Sequence, residues 1–163
     1  MRFLTGKRLL AVSSVFILCL LPVFFVGCGS GCGGDVAPDG SKITIFPKDL
    51  KISDGSSSVT TTTQDFTISV HNADGMPLND VELVVGANGQ EWGVAQMMTT
   101  GNSNLSNPAT VCTGDDGTYT VRLQLLSGAG MVYKFQLEAT SGTAGGLAKI
   151  DVKALATAGG GGG

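Results

Sequence analysis

Thr118-Tyr119-Thr120-Val121-Arg122-Leu123-Gln124-Leu125 alternates polar and apolar side chains without a break. A strand sends successive side chains to opposite faces, so Tyr119, Val121, Leu123 and Leu125 share one side and can be buried together. A helix would need apolar residues three and four apart, which this stretch lacks. The same period of two recurs on both sides of it. Phe66, Ile68 and Val70 alternate with Asp65, Thr67 and Ser69; Val81, Leu83 and Val85 with Asp80 and Glu82. Phe135, Leu137 and Ala139 alternate with Lys134, Gln136 and Glu138; Ala148, Ile150, Val152 and Ala154 with Lys149, Asp151 and Lys153. Ile43 and Ile45 open the series between Lys42, Thr44 and Phe46.

Turn chemistry separates these runs. Asp74-Gly75, Asn88-Gly89, Asp116-Gly117 and Gly128-Ala129-Gly130 are residues that accept the backbone angles of tight reversals. Short strands at this spacing predict two antiparallel sheets packed face to face, about seven strands in all. The all-β domain is expected over residues 42–156. Within it, 86–108 is harder to read: Trp92, Val94, Met97 and Met98 fit one or two strands, and 101–108 an exposed loop. Residues 53–63, rich in Ser and Thr, fit a polar loop better than an edge strand or a glycan-acceptor segment.

The chain begins differently. Arg2, Lys7 and Arg8 precede an apolar run over residues 9–26, which ends at Gly27-Cys28. A charged start, an apolar middle and a small residue at the cut are the parts of a secretion signal. Phe25-Val26-Gly27-Cys28 resembles a bacterial lipoprotein signal, which implies removal of residues 1–27 and acylation, as by palmitate, of Cys28. Gly29 in second place, where an aspartate would retain a lipoprotein at an inner membrane, implies the outer membrane if the source has two. An uncleaved spanning helix is the other reading, interrupted by Ser13, Ser14 and Pro22. Residues 28–41 are Gly-rich and read as a flexible tether, and 157–163 as a disordered glycine tail.

Loss of residues 1–27 removes three cations and no acid, moving the net charge from −3 to −6. So acidic a chain without a basic cluster is a poor nucleic-acid binder. Of four cysteines, Cys19 leaves with the leader and Cys28 takes the lipid, leaving Cys32 and Cys112. In an oxidising compartment these two can pair; alternatively Cys112 is a small buried residue and Cys32 stays free.

Two segments resemble the bacterial immunoglobulin-like domains of invasin- and intimin-type surface proteins. One is Val70-His71-Asn72-Ala73-Asp74-Gly75-Met76-Pro77-Leu78-Asn79-Asp80-Val81-Glu82-Leu83-Val84-Val85, similar to that family's strand, Asp-Gly-x-Pro turn and returning strand. The other is Thr113-Gly114-Asp115-Asp116-Gly117-Thr118-Tyr119-Thr120-Val121, similar to its Thr-Asp-x-x-Gly strand entry. The resemblance spans residues 64–155 and implies an immunoglobulin-like antiparallel β-sandwich. The spacing Asp115-x-Gly117-x-Tyr119 further suggests a tyrosine corner, in which the phenol bonds a nearby backbone group.

Chemistry is sparse. His71, the single histidine, has no nucleophile assigned to it by sequence, so no catalytic residue and no cofactor are expected. Asp74, Asp80, Asp115 and Asp116 lie in two loops that can meet at one end of a sandwich and offer oxygens to calcium. Reversals favour these residues anyway, so no metal is expected. Trp92 with Met97 and Met98 fits core filling or a small sugar-binding patch. The expected function is a lipid-anchored cell-envelope protein that presents its domain to an envelope protein partner or supports an envelope assembly. A carbohydrate-binding or adhesin-type module is the alternative, and a small-molecule ligand is not expected.

Overall fold

The computed structural model describes residues 32–88 and 93–154. Nine strands run through them: β1 (Lys42–Phe46), β2 (Asp49–Asp54), β3 (Thr60–His71), β4 (Glu82–Asn88), β5 (Ala95–Thr99), β6 (Ala109–Cys112), β7 (Thr118–Ser127), β8 (Tyr133–Ser141) and β9 (Ala144–Ala154). They form a four-stranded sheet in the order β1-β3-β7-β5 and a five-stranded sheet in the order β2-β9-β8-β4-β6. All neighbours are antiparallel except β2, which runs parallel to β9. Read as A-B-E-D against G-F-C, the two orders are those of an immunoglobulin-like sandwich. Here an extra strand closes each edge of the G-F-C sheet.

The core sits where the alternation put it. Phe66, Ile68 and Val70 of β3 share the inner face of one sheet with Val121, Leu123 and Leu125 of β7, Phe66 standing opposite Val121 and Ile68 opposite Tyr119. Leu83 and Val85, Leu137 and Ala139, and Ile150 and Val152 line the other, all essentially inaccessible. Removing such apolar area from water is the main force holding the sheets together. The two orders of alternation interlock because each strand keeps its apolar set on one side through the whole register.

Three local expectations are corrected. The described residues form nine strands rather than about seven, because β2 and β6 are short edge strands with only two inward apolar residues apiece. The Thr run is not loop: Thr60, Thr61, Thr62 and Thr63 pair with Ser127, Leu126, Leu125 and Gln124. A long partner strand supplies a ladder for them, and β-branched side chains suit the pleat. The segment after Cys32 is not free tether. Ala37 is 3% exposed and donates its N–H to Ser141 Oγ at 2.9 Å, while Glu82 N–H reaches Asp35 O at 2.8 Å. The leader, Cys28, Trp92 and the glycine tail lie outside the described residues.

Candidate functional site

One end of the sandwich gathers most of the residues singled out from the sequence. Cys32 and Cys112 are joined there as a disulfide, Cα to Cα 5.4 Å, across 80 positions of chain. The bond fastens the N-terminal segment to the last residue of β6. Beside it the β3–β4 loop and the β6–β7 turn meet, as the sequence allowed. Thr113 is the joint: its buried hydroxyl donates to Leu78 O at 2.7 Å and accepts Val81 N–H at 3.0 Å. Its own carbonyl takes Asp80 N–H at 3.1 Å.

The aspartates at this end build turns. Asp116 Oδ1 accepts from the Thr118 hydroxyl at 2.8 Å and the Thr118 N–H at 3.0 Å, and these bonds hold its carboxyl below the ordinary value. Asp74 follows a loop organised by Asn72, whose Oδ1 accepts the N–H of Asp74 and of Met76. Asp80 carries a left-handed backbone, φ 53°, and Asp115 is exposed. Among the described residues no three acidic, His or Cys side chains gather into a metal-binding group. His71 closes β3 opposite Lys42 and Pro77.

The tyrosine corner belongs to a different tyrosine. Among the described residues no hydrogen bond reaches the Tyr119 hydroxyl. The turn before it has spent its groups on itself: Gly117 N–H donates to Gly114 O, and Gly114 N–H to Thr118 O. Tyr133, the first residue of β8, instead donates to Leu126 O at 2.5 Å, with Val94 O 3.2 Å away. This is the E–F corner, where an immunoglobulin-like fold ties a phenol back to upstream backbone. Burial raises the Tyr133 pKa, so the phenol keeps its donor. Only the knowledge that β7 and β8 are strands E and F could have found it.

The two outer faces differ in chemistry. On the four-stranded sheet, Thr44, Thr67, Ser69, Thr118 and Thr120 lie on neighbouring strands, with Phe46 exposed beside them. Their face holds one opposite-charge pair, Asp65 with Arg122. Met97 points into the core, whereas Met98 is half-buried on the other side, so the pair does not make one patch. On the five-stranded sheet, lysines and aspartates of β2, β8 and β9 line an open groove of about 530 Å³ with Asn88 and Gln136. None of these lysines stood out in the sequence, because they come together only through strand register.

No protein-family model matches the chain. No curated protein matches it either. Among solved structures it is similar to domains 1–6 of the surface layer protein SbsC, with TM-score 0.44 and 12% identity, over 70% of this chain and 13% of that one. It is also similar to SbsC domains 4 and 5, with TM-score 0.42 and 13% identity, over 69% of this chain and 44% of that one. The ASH/PapD-like domain of human CEP192 gives TM-score 0.39 and 10% identity, over 74% of this chain and 89% of that one. The chain thus spans less than half of either surface-layer chain it matches.

Proposed function

We propose that this chain is an exported, lipid-anchored cell-envelope protein that presents its immunoglobulin-like domain to a protein partner. The Cys32–Cys112 disulfide carries the reading. Such bonds persist in oxidising compartments, which is where a cleaved leader delivers a protein. It also shortens the leash. Residues 29–31 alone separate the lipid-bearing Cys28 from the stapled Cys32, a reach of about 14 Å at full extension. The domain would therefore stand against the membrane with its disulfide end down, rather than a few nanometres away. Confinement to the membrane surface raises the effective concentration of the domain near its neighbours. The edge strand β1 offers backbone to an incoming strand, whereas the other edge of that sheet, β5, is already bonded by the loop after it, Leu105 N–H to Met97 O and Thr99 N–H to Ser103 O.

Growth with a palmitate analogue tests the anchor. The chain is expected to take up label, and Cys28→Ser to lose it and accumulate with the leader attached. A wild-type chain that stays unlabelled overturns the reading.

A further inference from the structure

The lysine-bearing groove on the five-stranded sheet stands apart from the anchored end and from the anchoring reading. Register sets its layout. Lys134 on β8, Asp151 on β9 and Lys51 on β2 stand side by side in one row, and Gln136, Lys149 and Asp49 in the next. Two strand spacings put the Lys134 and Lys51 positions about 10 Å apart, with a carboxylate between them. Within the lining three cations face two acids; Lys153 joins from one rim and Glu138, bonded to Asn88, from the other, on a chain whose net charge is −3.

The ion pairs in the groove are loose. Asp151 Oδ2 lies 3.5 Å from Lys134 Nζ and 3.6 Å from Lys153 Nζ, and those two side chains remain 68% and 58% exposed. Such long, solvated contacts hold the ammonium groups weakly, and they are able to turn to a ligand. Asp151 Oδ1 is enclosed and has no hydrogen-bond partner among the described residues, so Oδ2, the oxygen beside the lysines, is the one turned to a ligand.

A ligand that satisfies this layout has both anionic groups and hydroxyls. Carboxylates pair with the lysines, while hydroxyls donate to Asp49 and Asp151 and exchange bonds with Gln136. A dense polyphosphate would meet the two aspartates with like charge, and a neutral sugar would leave the lysines unused. We infer that this groove binds a strand of carboxylate-bearing polysaccharide, a uronate-type chain, laid across β2, β9 and β8.

Titration calorimetry of the full chain in nonionic detergent tests it with oligogalacturonate, neutral dextran oligomers and inorganic polyphosphate. Oligogalacturonate is expected to bind, and Lys51→Gln with Lys134→Gln to weaken it about tenfold or more, two charge-assisted contacts being lost. Lys149→Gln alone, the milder change, is expected to weaken it several-fold, and Lys42→Gln on the other sheet to leave it unchanged. Gln keeps much of the aliphatic stem, and an unaltered melting curve shows that the fold is retained. Absence of oligogalacturonate binding, equal binding of dextran, tighter binding of polyphosphate, or an equal loss in Lys42→Gln overturns the inference.

Discussion

Asp65 and Arg122 face each other across β3 and β7, the guanidinium donating from Nε to Oδ1 at 2.7 Å and from Nη2 to Oδ2 at 2.9 Å. The remaining nitrogen, Nη1, reaches Asn102 Oδ1 at 2.9 Å and Thr100 O at 3.2 Å. One side chain thus ties the β5–β6 loop to the middle of the sheet. Lysine cannot reproduce a planar fork with a third arm. Arg122→Lys is expected to leave the core intact and to speed protease cleavage in the loop around Asn102, read by limited proteolysis and mass spectrometry.

Three carboxylates set the acid limit. Asp54 is held below its usual pKa by the Thr60 hydroxyl, the Ser56 N–H and the Ser127 hydroxyl, Asp65 by Arg122, and Asp116 by Thr118. A depressed folded-state pKa gives stability that is present above the unfolded value, about 3.9, and is lost as pH falls through the folded value. Urea midpoints are therefore expected to hold steady from neutral pH down to about 5 and to fall below about 4. Asp54→Asn is expected to start lower at neutral pH and to fall less steeply in acid.

Tyr133→Phe removes the donor to Leu126 O while keeping the ring against Phe135. The cost is expected at about 1 kcal/mol in chemical denaturation, the net worth of one such hydrogen bond. Tyr119→Phe, which breaks no protein hydrogen bond among the described residues, is expected to change stability by less than about 0.5 kcal/mol.

Two glycines with similar backbone angles give a contrast. A Cβ at Gly75, φ 83°, meets nothing within 4 Å, so Gly75→Ala is expected to cost only the left-handed penalty, about 1–2 kcal/mol. At Gly117, φ 71°, it would stand 2.7 Å from Pro77 Cβ and 2.8 Å from Leu78 N. Gly117→Ala must also push the two loops apart. Its loss is expected to be about twice as large or more, compared by urea denaturation of both variants.

Replacing Cys32 and Cys112 together by alanine opens a closure of 80 positions. The chain-entropy account sets the loss at about 4.5 kcal/mol under non-reducing conditions. Under full reduction the variant and the parent are expected to unfold at similar urea concentrations, which checks that the bond itself carries the difference.

The alternation of Phe66 to Val70, of Tyr119 to Leu125 and of Phe135 to Ala139 makes the sandwich readable from the sequence, because burial of one strand face is written at a spacing of two. The turn glycines and the loops they close were readable for a similar reason, since each is a matter of a few adjacent residues. What lay across strands was not. The phenol that ties the E–F corner is Tyr133 rather than Tyr119, since its partner, Leu126, is defined by the path of two strands and not by a motif. Asp54, Thr60 and Ser127 meet through three hydroxyl and carboxylate contacts from separate strands. Lys51, Lys134 and Lys149 share a groove only because β2, β9 and β8 are neighbours in a fixed register.

Local order along this chain thus follows from its own residues: which side of each strand is apolar, and where the backbone reverses. Pairing of strands brings together side chains remote in sequence, and the apolar pattern alone leaves open which ones. That choice falls to the packed sheets, whose register and edges are selected by the burial of all strands at once.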